Sequence, residues 1–519
     1  MPKPKQFLKG EKKKSKHAAP VPTTADEFLE VGVEHEEAGE KWRGGDAAKS
    51  TRFFTRALDA YEGGLKKFPD SFDLAYNKAR LQYEMTQHPK ILPQLPGTLL
   101  ELLKTAIESS RYALKLDSEN SDALFNAAQA LCSYAEVAKD DDLPSRYLEE
   151  ALWLFELCLN NQLRAFDKDT AAAKAAAEGN NDVEMADNDD TIPYDSPRAE
   201  PSGQMPPPPS QFQPSSAMLA SSASSSTSLA SNTQTQPQET AWARIVEPVT
   251  ISTILDTLSA QLQTLTLLTK EVPPADTAAI QHIVNYYQNP ILSTLTHPQY
   301  GPLFVEREDD IKLAIANYQC AAADLQYNAE EIDLRKYDHI VSNAYDFDMS
   351  NSPEALCDAG ESFLQFHAAV AHLGMHCEPY LTQRWVVLGK AQNHFTAAWK
   401  LPDAQHKEKI NALRGDVDML RFQLGLVGHK DAKKNGAVLL KNAGIFYNGA
   451  KITAERDGVR EVAVEAEVKS LIVKAFGGHV SELKNVELAQ EVSKKVIVEA
   501  VADGVVTSAQ LAEFGINGY

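Results

Sequence analysis

The sequence predicts an all-α protein made of antiparallel helix pairs, and three observations support this fold class. Strong helix formers dominate from Asp26 to about Leu163, without the strand-type alternation of polar and apolar residues, and helical patterning resumes at about Thr240. Turn signals such as Gly44-Gly45-Asp46 recur at intervals that leave room for helices of roughly 15–20 residues. Hydrophobic residues make up 43% of the 519 residues, which is enough to bury a substantial core.

The composition divides the chain into four segments. A lysine-rich segment, 1–22, is followed by helical segments at 23–163 and 240–519. The intervening segment, 164–239, begins with Ala and Lys, becomes acidic, and then becomes rich in Pro, Ser, Thr and Gln. Because such a composition cannot bury a core, we expect a disordered insertion that interrupts the helical array. Within it, Ser196 precedes a proline and is a candidate phosphorylation site.

The last segment shows a series of helical patterns and ends in a short cap. Apolar residues recur with helical periodicity between turn signals throughout this segment. We expect helices at 250–269, 309–332, 353–373, 383–401, 407–426, 435–452, 459–476 and 486–502, and the cap at 508–514.

A pattern of small residue, three others, aromatic, two others and small residue recurs in the second helix of the predicted pairs. Positions i, i+4 and i+7 share one helix face, so the small residues admit a neighbouring helix and the aromatic fills the remaining space. We expect the aromatic side chains, and Trp399 near them, to be core residues. The copies are Ala57…Tyr61…Gly64, Ala151…Phe155…Cys158, Ala391…Phe395…Ala398 and Ala443…Tyr447…Ala450, and Ala106…Ser110…Ala113 lacks the aromatic.

The pattern resembles the second helix of the tetratricopeptide repeat (TPR), and the resemblance implies a TPR-like α-solenoid. First helices at 73–79 and 122–128 match each other at an offset of 49 residues. Since the standard TPR repeats every ~34 residues, the array is a divergent one. An irregular helical bundle is the alternative.

The TPR resemblance raises the question of a carboxylate clamp, the basic groove that holds the acidic tails of heat-shock chaperones. Asn77 resembles the asparagine of the middle repeat. The following repeat offers Asp122 and Asn126 where basic residues belong, and no register of the first repeat supplies Lys with Asn. We therefore expect no heat-shock-chaperone clamp.

The inner face of the first helices remains the candidate partner-binding surface. Asn77 and Asn126 have an alternative role, because they could form hydrogen bonds between stacked helices. The residues expected on or near this face are Asp73, Asn77, Arg80, Asp122, Asn126 and Gln129.

Charge and motifs narrow the class of function. The net charge of −21 repels nucleic acid and anionic membranes and attracts basic polypeptides. No nucleotide-binding, nucleophile-elbow or metalloprotease motif occurs, so we expect neither an enzyme nor a cofactor or metal site. Five scattered cysteines and the absence of a secretory signal favour the cytoplasm or nucleus. A possible nuclear import signal comprises Lys12, Lys13, Lys14 and Lys16.

Two functions remain open at this point. The first is a scaffold or escort chaperone that holds a partner polypeptide, for example a basic client such as a ribosomal protein or a histone. The second is a bridging subunit of a stable nuclear or cytoplasmic complex in transcription, RNA processing or degradation. Acidic residues clustered on the concave face of the solenoid would favour the first function. A contiguous apolar patch on a helix face of the second half, without excess acid, would favour the second.

Overall fold

The computed structural model describes residues 22–138, 143–179, 249–372, 378–489 and 491–518. Within these ranges the regular secondary structure is entirely helical, which confirms the all-α prediction. The chain forms two compact units, 1–162 and 163–519.

The first unit is built from helices in sequential contact. Thr24 and Thr98 begin α1 and α4 with capping boxes, in which the threonine and a glutamate three residues later satisfy each other's backbone amides. The helices are α1 (Ala25–Arg43), α2 (Ala47–Lys67), α3 (Phe72–Thr86), α4 (Leu99–Leu116), α5 (Ser121–Val137) and α6 (Leu143–Gly179), with a 3₁₀ turn at Leu92–Gln94. The boundary between the units falls inside α6.

The second unit is also built from helices. A π-helical stretch, Tyr287–Leu292, contains Pro290, whose missing amide proton disrupts the α-helical hydrogen-bond ladder. The helices are α7 (Ile251–Glu271), α8 (Thr277–Tyr286), α9 (Ser293–Leu295), α10 (Glu308–Asn328), α11 (Leu334–Ala344), α12 (Pro353–His372), α13 (Glu378–Lys400), α14 (Lys407–Leu426), α15 (Lys430–Asp457), α16 (Arg460–Phe476), α17 (Val480–Ala489), α18 (Glu491–Ala502) and α19 (Ser508–Glu513), with a 3₁₀ helix at Gly301–Arg307.

In the pairs α1–α2, α12–α13 and α14–α15, a glycine on the first helix packs against an aromatic ring on the second. A β-carbon added at Gly32 would lie 2.1 Å from the ring of Tyr61, and one at Gly39 would lie 2.5 Å from the ring of Phe54. Since the glycine number rises as the aromatic number falls, α1 and α2 are antiparallel. The same contact joins Gly360 to Phe395 and Gly415 to Tyr447.

The small–aromatic–small positions predicted from the sequence are core positions. Tyr61, Phe395 and Tyr447 are completely buried, and Phe155 is 1% exposed. Trp399 is the exception and the prediction for it was wrong. Its side chain is 39% exposed because it lies at the helix surface, where the guanidinium of Arg414 sits 5.3 Å from its ring.

The predicted disordered segment, 164–239, begins too early. Residues 164–179 are the last part of α6. The sequence there is rich in alanine, the strongest helix former, so it continues the helix at little cost. Phe166 and Asp167 also contact Tyr300, with the tyrosine hydroxyl donating to Asp167 at 2.8 Å. Residues 180–239 lie outside the described part of the chain.

The predicted helix bounds are close for some elements and wrong for others. The prediction for α14 has the observed limits, whereas α15 extends beyond both predicted ends. The helix predicted at 486–502 corresponds to the end of α17 and to α18, which lie on either side of residue 490, and residue 490 is outside the described part of the chain. Helices α8 and α11 were not predicted, because their short apolar patterns are close to turn signals such as Pro273-Pro274.

Candidate functional site

Arg80 is the centre of a polar network that includes several of the predicted partner-binding residues. Its guanidinium forms an ion pair with Glu36 of α1 and donates to Glu84 of its own helix at 2.9 Å. Tyr61 of α2 donates to the same Glu36 at 2.5 Å. Burial alone would lower the pKa of Arg80, but the neighbouring carboxylates outweigh it and raise the pKa. Arg80 therefore remains charged and ties α1, α2 and α3 together.

Asn126 links the network to the next helix pair. Its side-chain amide donates to the hydroxyl of Tyr76 at 3.2 Å, a contact between α5 and α3. Burial raises the pKa of Tyr76 to about 12, so the hydroxyl stays protonated. The alternative role of this asparagine, a hydrogen bond between stacked helices, is thus observed in the structure. Asn77 instead donates to the backbone carbonyl of Asp73 in its own helix at 2.8 Å.

The other predicted residues differ in exposure. Asp73 and Asp122 are exposed, and Gln129 is half-buried. The structure therefore brings Asn77 and Arg80 into one hydrogen-bonded cluster and places Asn126 on its neighbour Tyr76. Asn77, Arg80 and Asn126 therefore have hydrogen-bond partners within the chain.

A second cluster, which the sequence analysis did not identify, lies on α12. We call Glu354, Asp358 and Glu361 the α12 acidic face, because their spacing places them on one side of the helix. Asp358 accepts a hydrogen bond from Asn317 of α10 at 2.5 Å, which locates the face beside α10. Within the described residues, no hydrogen bond or ion pair reaches the carboxylates of Glu354 and Glu361.

Ionising the carboxyl groups of this face costs electrostatic free energy. Burial raises the pKa of all three, and mutual repulsion adds to the shift of Glu354 and Asp358. Lys270 opposes the shift at Asp358 and Glu361, and Lys409 also opposes it at Glu361, yet neither lysine forms an ion pair with these carboxylates. A cation placed on this face would relieve the repulsion, and Arg or Lys side chains suit carboxylates in this geometry.

Further acceptors continue the surface along α10 and α12. Asp324 accepts hydrogen bonds from Tyr337 at 2.8 Å and from Gln365 at 3.0 Å. Gln365 is the next exposed residue after Glu361 on the same side of α12. The helical spacing of these residues was visible in the sequence, so counting charges by helix face would have found the α12 acidic face.

One group of side chains has the composition of a metal site. Potential ligand atoms of Glu40, Glu84 and His88 lie within 4.8 Å of one another. However, a guanidinium nitrogen of Arg43 lies 3.0 Å from Glu40, 3.5 Å from Glu84 and 3.0 Å from His88. The arginine therefore occupies the position that a cation would take, and this group is an internal ion-pair cluster.

Some predicted features are not covered by the structure. The possible import signal (Lys12, Lys13, Lys14 and Lys16) and Ser196 lie outside the described residues. Among the helices that are described, none combines the length and the apolar character needed to cross a membrane.

The described residues are helical and include an acidic helix face. Known proteins show the following similarities to this chain. No family model matches the chain. A protein of the fission yeast Schizosaccharomyces pombe, described as UPF0656 protein C926.02, is 35% identical over 150 residues. The match spans 28% of this chain and 32% of that relative, so less than a third of the relative's length is covered.

A solved structure was also matched. It is a circular tandem repeat protein with novel repeat topology and enhanced subunit contact surfaces, 13% identical in sequence. The match covers 95% of this chain and 99% of the other, with a TM-score of 0.25.

Proposed function

We propose that this chain is a divergent TPR-type scaffold or escort that holds a basic segment of a partner polypeptide and catalyses no reaction. The observation that carries the proposal is the α12 acidic face, with two carboxylates that have no partner among the described residues. Lys or Arg side chains of a client would supply the missing cations through charge-assisted hydrogen bonds. The net charge of −21 would speed the encounter with such a client.

The polar network centred on Arg80 supports this assignment indirectly. Its charged groups are paired within the chain, as the Arg80 contacts to Glu36 and Glu84 show. Breaking these pairs to bind a client would cost more than using the unpaired carboxylates of α12. We therefore assign client binding to α12 ahead of the residues predicted from the sequence.

The test measures binding of a labelled Arg/Lys-rich peptide to the full chain by fluorescence anisotropy. Glu354→Gln/Glu361→Gln removes two charges from the face, and we expect about tenfold weaker binding. The matched control is Glu30→Gln/Glu149→Gln, which removes two exposed charges elsewhere. We expect it to change the affinity less than about twofold, since distant surface charges are screened.

Two results would count against the proposal. If both double variants weaken binding equally, the peptide responds to net charge only and α12 is not a site. If neither variant weakens binding, the peptide binds elsewhere or not at all.

A further inference from the structure

Helix α15 carries a row of exposed apolar side chains on the side opposite its buried residues. We call Val438, Ile445 and Ile452 the α15 outer row; they are 57%, 56% and 58% exposed. Their seven-residue spacing places them on one side of the helix at intervals of about 10 Å. Ala443 and Tyr447, on the other side, are completely buried in the core. The helix therefore has a second apolar side that no described part of the chain covers.

The charges beside the outer row differ from those of the chain as a whole. Lys434 and Lys441 lie one turn from Val438 and are exposed, whereas exposed Lys433 lies on another side of the helix and exposed Asp431 lies in line with the row. Within the described residues, the ammonium groups of these three lysines take part in no ion pair or hydrogen bond. By contrast, Lys451 of the same helix is held by Glu467 at 2.9 Å. A protein with a net charge of −21 thus presents a lysine-flanked apolar row on one helix.

We infer that the α15 outer row binds an acidic amphipathic helix of a partner protein. Apolar side chains repeated every seven residues along a helix match a second helix with apolar residues at the same spacing. Aspartate or glutamate beside the partner's apolar residues would pair with Lys434 and Lys441. This site is separate from the α12 acidic face and has the opposite charge preference.

The probe is a labelled synthetic helical peptide of about 21 residues, with leucine at heptad positions a and d and glutamate beside them. Its affinity for the full chain is measured by fluorescence anisotropy. A peptide with lysine in place of glutamate tests the charge preference. We expect the glutamate peptide to bind at least about tenfold more tightly than the lysine peptide.

The variant Ile445→Ser/Ile452→Ser removes apolar contacts from the row, and we expect about tenfold weaker binding of the glutamate peptide. Both residues are exposed, so the variant should fold, which far-UV circular dichroism checks. The matched control is Val498→Ser on α18, a side chain of similar exposure at 54%. It should leave the affinity unchanged.

Several outcomes would overturn the inference. One is equal binding of the glutamate peptide by wild type and the isoleucine variant, and another is preference for the lysine peptide. Concentration-dependent dimerisation in sedimentation that the isoleucine variant abolishes would identify a second copy as the occupant. Binding to phosphatidylserine vesicles that depends on the row would identify a lipid surface.

The test is independent of the proposed function. Glu354→Gln/Glu361→Gln should leave the affinity for the glutamate peptide unchanged, and Ile445→Ser/Ile452→Ser should leave the affinity for the Arg/Lys-rich peptide unchanged. A result that contradicts one proposal therefore leaves the other proposal unaffected.

Discussion

At the scale of single residues, the molecule depends on close contacts between a glycine and an aromatic ring. The sequence pattern identified the aromatics and their small neighbours on the second helix, because those positions recur at fixed spacing. It could not identify Gly32, Gly360 and Gly415 as their partners, since these contacts join different helices. Trp399 was misplaced for the same reason: periodicity defines a helix face, but only packing shows which neighbour covers it.

The contact predicts opposite effects for two glycines in adjacent helices. A β-carbon at Gly360 would lie 2.6 Å from the buried ring of Phe395, so Gly360→Ala should destabilise the fold by about 1–3 kcal/mol. Gly389, within α13, has nothing within 4 Å of that position, so Gly389→Ala should stabilise it by about 0.5–1 kcal/mol. Urea unfolding followed by circular dichroism measures both. Equal effects of the two substitutions on the free energy of unfolding would show that the glycine–ring contact does not determine stability at this position.

At the scale of elements, α14 shows what a sequence-based helix prediction leaves out. Its limits were predicted as observed, yet its burial was not. Asp416 and Asp418 lie on the interior of the array, and Asp416 forms an ion pair with Lys469 of α16 at 3.0 Å. Polar residues normally indicate an exposed face, so the pattern could not show that neighbouring helices surround this one. The α6 extension was missed for the opposite reason, because an alanine-rich segment has no distinct apolar face.

The buried carboxyl of Asp418 makes stability depend on pH in a defined direction. Burial raises its pKa to about 6, against the attraction of Arg421 at 3.6 Å. The folded state therefore holds the proton more tightly than the unfolded state. This contribution to stability is complete below pH ~4 and is lost as the pH rises through about 6, by up to ~3 kcal/mol.

The measurement compares urea unfolding of wild type and Asp418→Asn between pH 4 and 7. The wild type should lose more stability over this range than the variant does. Asp309→Asn, at an exposed position of α10, is the control and should follow the wild type. Parallel curves for wild type and Asp418→Asn would contradict the assignment of this pH dependence to Asp418.

At the scale of the whole molecule, charge is distributed unevenly. The sequence supplied the sign and size of the net charge, and from these the expectation of a basic partner. It did not show that, among the described residues, Glu354 and Glu361 of α12 lack a partner, or that lysines without a partner lie beside an apolar row on α15. Net charge is a sum over the chain, whereas binding depends on which charges lack a partner on a common surface.

The electrostatic field of the whole chain should make client binding sensitive to salt. Raising NaCl from about 50 to 300 mM shortens the screening length, so affinity for the Arg/Lys-rich peptide should fall by at least about tenfold. Anisotropy titrations at four salt concentrations measure this dependence. An affinity that does not change with salt would show that contacts other than charge hold the peptide.

The glycine–ring contact also bears on how such a chain can change through evolution. The contact joins Gly32 to Tyr61, Gly360 to Phe395 and Gly415 to Tyr447, and the number of intervening residues differs in all three. Insertions and deletions between the two helices are therefore tolerated as long as the glycine still meets the ring. If the glycine–ring contact is kept while the number of residues between glycine and ring changes, the repeats lose their common sequence period before they lose their packing.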